Sequence, residues 1–377
     1  MAKWHQLLLS FVLLSVLLRP QHSLGQSIEF SNETAYITEL LTHSSANPGR
    51  DTHLLGWFLN TSTLKVNERH SFNVGLMLTH GGEPSVDIVG DLQTFSNLET
   101  GFFYGFNEVY YQYESEKFWV KVGQQDINTD FLVSENGALF THSSFGIDPV
   151  ATINMPAPTY PVTAFSLTSS IDVNPNLNLK IGVFDGQFAT PNNDYLGINW
   201  SLNKDEGLIY IVEPEFKLFN GKLSQKIGYY HHSGEFLNHE TLNMQKGLSA
   251  FYLVSDLNLM QNGDKAVNLF LQFDRSTKAV SDLRYYYGLG LKFDNLIKSE
   301  RQNELGIGLG HARLNSQFST VAEAYDIDRE TFIEINYKHQ IKDWLSIQPY
   351  FQWINIDALN SDPKNPVIAA LRAYIEF

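Results

Sequence analysis

Apolar and polar residues alternate through most of this chain, in stretches of roughly 8–12 residues closed by Asn, Asp, Gly, Ser or Pro. The cleanest stretch is 344–354. Leu345, Ile347, Phe351 and Trp353 fall on one face, and Ser346, Gln348, Tyr350 and Gln352 on the other. The last stretch repeats this, with Val367, Ala369, Leu371, Ala373, Ile375 and Phe377 set against Ile368, Ala370, Arg372, Tyr374 and Glu376. Residues two apart share one face of a strand, so each stretch predicts a strand with an apolar face and a polar face. Further strands are expected to begin near Phe72, Phe102, Lys117, Val162, Leu177, Leu208, Lys222, Gly247, Ala266, Tyr285, Asn303 and Thr331. Residues 28–40 and 53–59 carry weaker versions, giving about 14 to 16 strands in all.

The connections alternate too. Short turns such as Glu114-Ser115-Glu116, Asn174-Pro175-Asn176, Asn220-Gly221 and Lys342-Asp343 imply antiparallel hairpins. Longer polar connections are expected over 187–207, 233–245 and 315–330. Short turns at one end and long loops at the other are the pattern of an outer-membrane barrel. A soluble β-sandwich also alternates, so the chemistry of the faces decides. Here the apolar face is aromatic and nearly free of charge. Lys121, Asp274, Lys292, Glu334, Lys338, Arg372 and Glu376 all lie opposite the aliphatic residues. A basic residue on the lipid face would cost about 2–4 kcal/mol at mid-membrane. Aromatic residues gather at strand ends, as in Tyr285-Tyr286-Tyr287, Phe293, Trp344, Trp353 and Phe377, where interfacial girdles sit. A closing strand that ends on an aromatic residue is also what bacterial barrel-insertion machinery reads.

The start of the chain agrees. Lys3, an apolar run over 7–18 and Ser23-Leu24-Gly25 read as a secretory signal peptide over residues 1–25. That run is too short for a membrane-spanning helix, which needs roughly 20 residues. Residues 26–70 are then an N-terminal mature segment, either a plug or the first strands, and 71–377 the barrel. Exported chains enter an oxidising space, yet this one has no cysteine, which excludes a disulfide scaffold, a thiol catalyst and Cys-ligated metal. A formal charge of −15 argues against nucleic-acid binding.

Candidate chemistry concentrates in residues 121–161. The chain leaves a strand at Lys121, crosses Asp126, Asp130 and Glu135, turns near Gly137, passes Asp148-Pro149 and exits through Pro156, Pro158 and Pro161. So long a connection is usually functional. In a barrel its natural place is inside the lumen, with Phe131, Leu139, Phe140 and Phe145 anchoring it to the wall and the acids facing the channel. Glu108, Lys121, Gln125, Asp126 and Asp130 lie on inferred lumen positions or on this connection; Glu213, Glu334, Arg372 and Glu376 lie on lumen faces of other strands. Two readings stand. The charges line a constriction and hydrogen-bond solutes, or they pair with one another to hold the loop in place. Trp119 shares a face with Lys121 and either stacks on sugars or packs beneath the loop. His231 and His232 are adjacent, so they point to opposite faces and cannot chelate together. Ser143 close to His142 and Asp148 is a coincidence of sequence, and no hydrolase, phosphate-loop or zinc-protease motif occurs. No catalytic residue, cofactor or metal is expected.

Several motifs resemble, in order, those of the carbohydrate-selective porins of the OprB family. They are Asn107-Glu108-Val109-Tyr110-Tyr111, Val122-Gly123-Gln124, Asp130-Phe131, Phe140-Thr141-His142-Ser143-Ser144-Phe145-Gly146 and Tyr160-Pro161, then Gly182-Val183-Phe184-Asp185-Gly186, Ile333-Glu334-Ile335-Asn336-Tyr337, Gln348-Pro349-Tyr350-Phe351-Gln352 and the closing strand. The resemblance covers roughly 102–377. The family's N-terminal segment is not evident near 44–64, and its acidic element after the Gly-rich strand is reduced to Arg313-Leu314-Asn315. The resemblance implies a transmembrane antiparallel β-barrel of sixteen strands in the bacterial outer membrane. It also implies passive diffusion of small sugars, in a monomer or homotrimer surrounded by lipid. A general cation-preferring porin, a barrel enzyme and a soluble sugar-binding protein are the alternatives.

Overall fold

The computed structural model describes residues 28–44, 52–188, 195–203, 205–315, 324 and 326–377. The expected signal peptide lies outside these. Sixteen strands form one closed barrel in which each pairs antiparallel with its sequence neighbours and the last pairs with the first. They are β1 (Glu29–Ser44), β2 (Thr52–Asn67), β3 (His70–His80), β4 (Phe103–Glu114), β5 (Phe118–Gln125), β6 (Ala164–Asn174), β7 (Leu177–Asp185) and β8 (Leu208–Leu218). The second half comprises β9 (Leu223–Asn238), β10 (Asn243–Asn262), β11 (Lys265–Ser276), β12 (Leu283–Asp294), β13 (Asn303–Leu314), β14 (Ile327–Lys342), β15 (Leu345–Ala358) and β16 (Val367–Glu376). Residues 29–67 therefore supply the first two strands, and the barrel begins well before residue 71. Closure of β1 on β16 sets Glu39 opposite Arg372 and Leu40 opposite Leu371.

The barrel is inside-out relative to a soluble protein. Leu371, Phe351, Ile335, Leu271 and Phe251 are exposed on the outside, whereas Arg372, Gln352, Glu334, Gln272 and Asp274 are buried on the inside. A contiguous apolar belt of this kind is unsupportable in water but suits hydrocarbon. No helix among the described residues is long and apolar enough to cross a membrane, so the crossing is made by strands. At the short-turn rim Trp344 stacks on Phe377, with ring centroids 6.4 Å apart. In the aromatic triplet of β12, Tyr286 turns inward and is fully buried, while Tyr285 and Tyr287 both face His311.

One expected loop is absent. Residues 233–245 continue β9 and β10 on either side of a tight turn, because the two strands keep pairing from Asn238–Asn243 downward. Two local devices then aim side chains inward. Between β3 and β4 the pairing shifts so that Asn107 and Glu108 together oppose Gly75. Such a bulge reverses the facing of the strand beyond it and turns Glu108 toward the lumen. In β5, Gly123 has φ +138°, and a Cβ there would lie 2.2 Å from the Val109 carbonyl oxygen. Only glycine fits, which accounts physically for the Val122-Gly123-Gln124 motif.

Candidate functional site

Two connections fold into the barrel. One joins β5 to β6 and carries short helical turns at Ile127–Asp130, Gly137–Leu139, Ser143–Gly146 and Pro149–Asn154. Asp126 and Asp148 cap the first and last of these, accepting from the Asn128 and Val150 amides at 2.7 and 2.8 Å. The second connection, residues 81–102 between β3 and β4, gave no sign of insertion in the sequence. Phe95 within it is fully buried, and Asn97 donates its backbone N–H to the Thr141 carbonyl, joining the two loops.

The seat for the longer loop is aromatic. Phe131 packs edge-on against Phe184, and Phe140 and Phe145 both pack against Phe270, with centroids 5.2 Å apart. Phe145 also meets Phe332 at 5.0 Å. Inward-facing glycines of β13 make room for these rings. A Cβ on Gly308 would lie 2.7 Å from both Phe140 and Phe145.

Inserted backbone has no strand partner, so its N–H and C=O groups need other partners. Wall carboxylates take the N–H groups. Glu334 accepts from the Thr141 and His142 amides, both at 2.9 Å. Glu330 accepts from Leu92 and Gln93 at 2.7 and 3.1 Å. Asp256 accepts from the Glu135 and Asn136 amides and from the Ser134 hydroxyl. Glu213 accepts from Leu132, and Glu108 from Asp126. Wall amides and lysines take the carbonyls: Gln272 donates to Phe145, Gln348 to Leu139, Gln352 to Phe95, Lys180 to Asp130 and Lys226 to Val133.

The residues singled out from the sequence fall into separate places. Lys121 and Asp130 form an ion pair at 2.9 Å, next to Glu108 and Asp126. The Lys121 ammonium also lies 4.6 Å from the Trp119 ring centroid, so Trp119 is covered by that cation. Gln125 is buried and bonded to Ser166 and Thr168 of β6. Glu213 and Glu334 are fully buried under the loop. Arg372 is 2 % exposed, pairs with Glu39 at 2.6 Å and holds Ser96 and Asn97 of the shorter loop. Glu135 and Glu376 are exposed, the latter on the strand that ends at the short-turn rim. Glu39, Glu330 and Asp256 were missed; each sits on an inward strand position, which was the one available signal.

Burial raises the carboxyls of Asp91, Glu99, Asp126 and Asp148 on the inserted loops. Burial pushes the Asp126 carboxyl up to about 6. Burial, reinforced by Asp91, pushes Glu99 up to about 9, even though the Ser85 N–H and hydroxyl donate to it. His231 and His232 face opposite sides, bonded to Ser249 and to the Gly186 carbonyl respectively. His142 stacks on Phe332, and Asp148 is engaged as a helix cap.

What remains open between the loops and the β1–β2–β16 wall is a cavity of about 610 Å³, lined among others by Trp57, Asn97, Asn128, Tyr160, Arg372 and Tyr374. A closed sixteen-stranded barrel, apolar outside and narrowed within by inserted loops, is an outer-membrane porin. The chain belongs to the carbohydrate-selective porin, OprB family, whose model matches residues 54–377 and so takes in most of β2, beyond the stretch where motifs were evident. The fold resembles the high-pH structure of Pseudomonas putida OprB, with a TM-score of 0.78 at 15% identity over 92% of this chain and 94% of that one. It also resembles the outer membrane channel DcaP of Acinetobacter baumannii (TM-score 0.56, 9% identity, 95% and 99% covered). A mutant porin of Rh. blastica aligns with a TM-score of 0.56 at 12% identity, over 93% and 100%. No curated protein matches the sequence.

Proposed function

We propose that this porin lets small carbohydrates diffuse passively through its loop-narrowed lumen, with no chemical step. The observation that carries the reading is the double insertion of loops into a closed barrel, leaving a polar and aromatic cavity of about 610 Å³ beside the β1–β2–β16 wall. That is the size range of small-molecule sites. Glu213, Glu334, Arg372 and the Lys121–Asp130 pair act as anchors of the loops, which supports the second of the two readings of the lumen charges. Solute contact falls to groups that border open space, and binding stays weak enough for release. Most lumen bases are engaged in ion pairs with acids, while Glu135 and Glu376 are exposed. This favours a modest preference for cations among small ions. Purified protein in planar bilayers tests the reading. Discrete conductance steps, a cation-selective reversal potential and reduction of current by added monosaccharide are expected. A protein that inserts but never conducts would overturn it.

A further inference from the structure

Two of the rings that border the residual cavity have no partner ring or cation among the described residues. Four aromatic side chains line it: Trp57, Phe140, Tyr160 and Tyr374. Phe140 is consumed by Phe145 and Phe270. Tyr374 carries the Lys338 ammonium 3.9 Å from its ring centroid. Trp57 and Tyr160 have no ring or cation partner among the described residues. Both are nevertheless held firmly by their edges. The Trp57 indole N–H donates to the Met77 sulfur at 3.0 Å. The Tyr160 hydroxyl donates to the Leu98 carbonyl at 3.0 Å, and its backbone N–H to Asp126 at 2.9 Å. They come from different elements, one from the β2 wall and one from the exit of the longer loop.

Polar groups border the same space. Asn128 spends its NH₂ on the Phe131 and Gly146 carbonyls and leaves its own carbonyl oxygen without a partner among the described residues. Arg372 also borders it, a cation fixed in place by Glu39, Asn97, Ser96 and Tyr374. Flat apolar faces next to a free acceptor and a fixed cation suit a ring that is apolar above and hydroxylated at its rim.

We propose that Trp57 and Tyr160 form a sugar-ring subsite in the permeation path. The C–H face of a pyranose stacks on these two rings while a hydroxyl donates to the Asn128 carbonyl oxygen beside the fixed Arg372 cation. This deepens the passive-diffusion reading and rests on it. It also moves the selective contact away from Trp119, Lys121 and Asp130 to the cavity bordered by β1, β2 and β16. Aromatic contacts of this kind are worth roughly a two- to tenfold change in affinity per ring.

The test uses the full-length protein in planar bilayers with two probes of similar size. Glucose is a ring; sorbitol is open-chain and has no flat face. Glucose is expected to reduce the wild-type ion current at several-fold lower concentration than sorbitol. Trp57→Leu and Tyr160→Leu should each abolish most of that difference and leave the sorbitol response in place. Tyr160→Phe keeps the ring, loses the tie to Leu98, and should retain the glucose preference. Equal response of the wild type to glucose and sorbitol would overturn the subsite without any variant, even if a variant failed to fold. So would a glucose preference that survives in both Leu variants. A wild type that conducts ions but responds to neither solute would instead overturn the passive sugar-diffusion reading itself.

Discussion

Glu334 is the sharpest place to ask whether the wall carboxylates hold the loops. The side chain is fully buried on β14 and receives the Thr141 and His142 backbone N–H groups, the Asn336 side-chain amide at 2.7 Å and the Gln352 amide at 3.1 Å. Glu334→Ala leaves two backbone donors unpaired beside buried phenylalanines. Each such donor costs about 1–3 kcal/mol, so docking of residues 140–146 should weaken by about 2–6 kcal/mol. Water entering the vacated space moves the value toward the lower end. Glu334→Gln keeps one acceptor and should lose about half as much. Even 2 kcal/mol multiplies the undocked population more than tenfold. Phe140 and Phe145 remain seated on Phe270, so partial release is expected rather than loss of the loop. In single-channel recordings the Ala variant should show excess open-channel noise and a higher mean conductance, with Gln intermediate. Both should still migrate as folded barrels without heating. An Ala variant with wild-type conductance and noise would refute the anchoring argument.

Other consequences follow from the same geometry. Gly308→Val places a branched side chain where Phe140 and Phe145 sit, and overpacking of this kind costs about 1–3 kcal/mol; conductance noise should rise, whereas valine at the outward-facing Ile307 should change nothing. Glu99 gives a pH dependence. Its carboxyl is raised from an ordinary 4.5 to about 9 when the shorter loop is docked, so the docked loop holds the proton more tightly than the free loop. Docking is then strongest below pH 4.5 and weakens as pH climbs toward 9, and current noise should grow over that window and grow much less in Glu99→Gln, where Asp91 of the same loop, raised by burial to about 6, carries the remainder. In a cysteine scan of β16, position 376 should react with a membrane-impermeant thiol reagent, while 369 and 371 should not; equal labelling would contradict the facing of the strand.

The strands were legible because lipid makes a strict demand of one face. Leu371, Phe351 and Ile335 obey it, and their neighbours carry the polarity. β1 and β2 were faint because their outward faces are not uniformly apolar. Asn32 and Ser62 are register partners on that side, as are Thr34 and Asn60, and they hydrogen-bond one another. The β9–β10 turn was misread because strand pairing there outlasts the regular alternation. Insertion of the β5–β6 loop could be inferred from its length and its phenylalanines. Insertion of 81–102 could not. Its anchors join residues such as Leu92 and Glu330, 238 positions apart, and only closure of the barrel brings them together. For the same reason Arg372 and Glu334 were recognisable as lumen charges, but their service as loop anchors was not decided by sequence. Trp57 went unnoticed because it lies in the faint second strand, and its open face depends on where the loops come to rest.

Flux of radiolabelled sugars into proteoliposomes tests the central claim most directly. Monosaccharides should enter without an energy source at a rate proportional to their gradient, and flux should fall steeply for tri- and larger oligosaccharides as molecules outgrow the cavity beside β1, β2 and β16. Vesicles that conduct ions through the protein yet remain closed to every monosaccharide, or that admit large and small sugars equally, would contradict it.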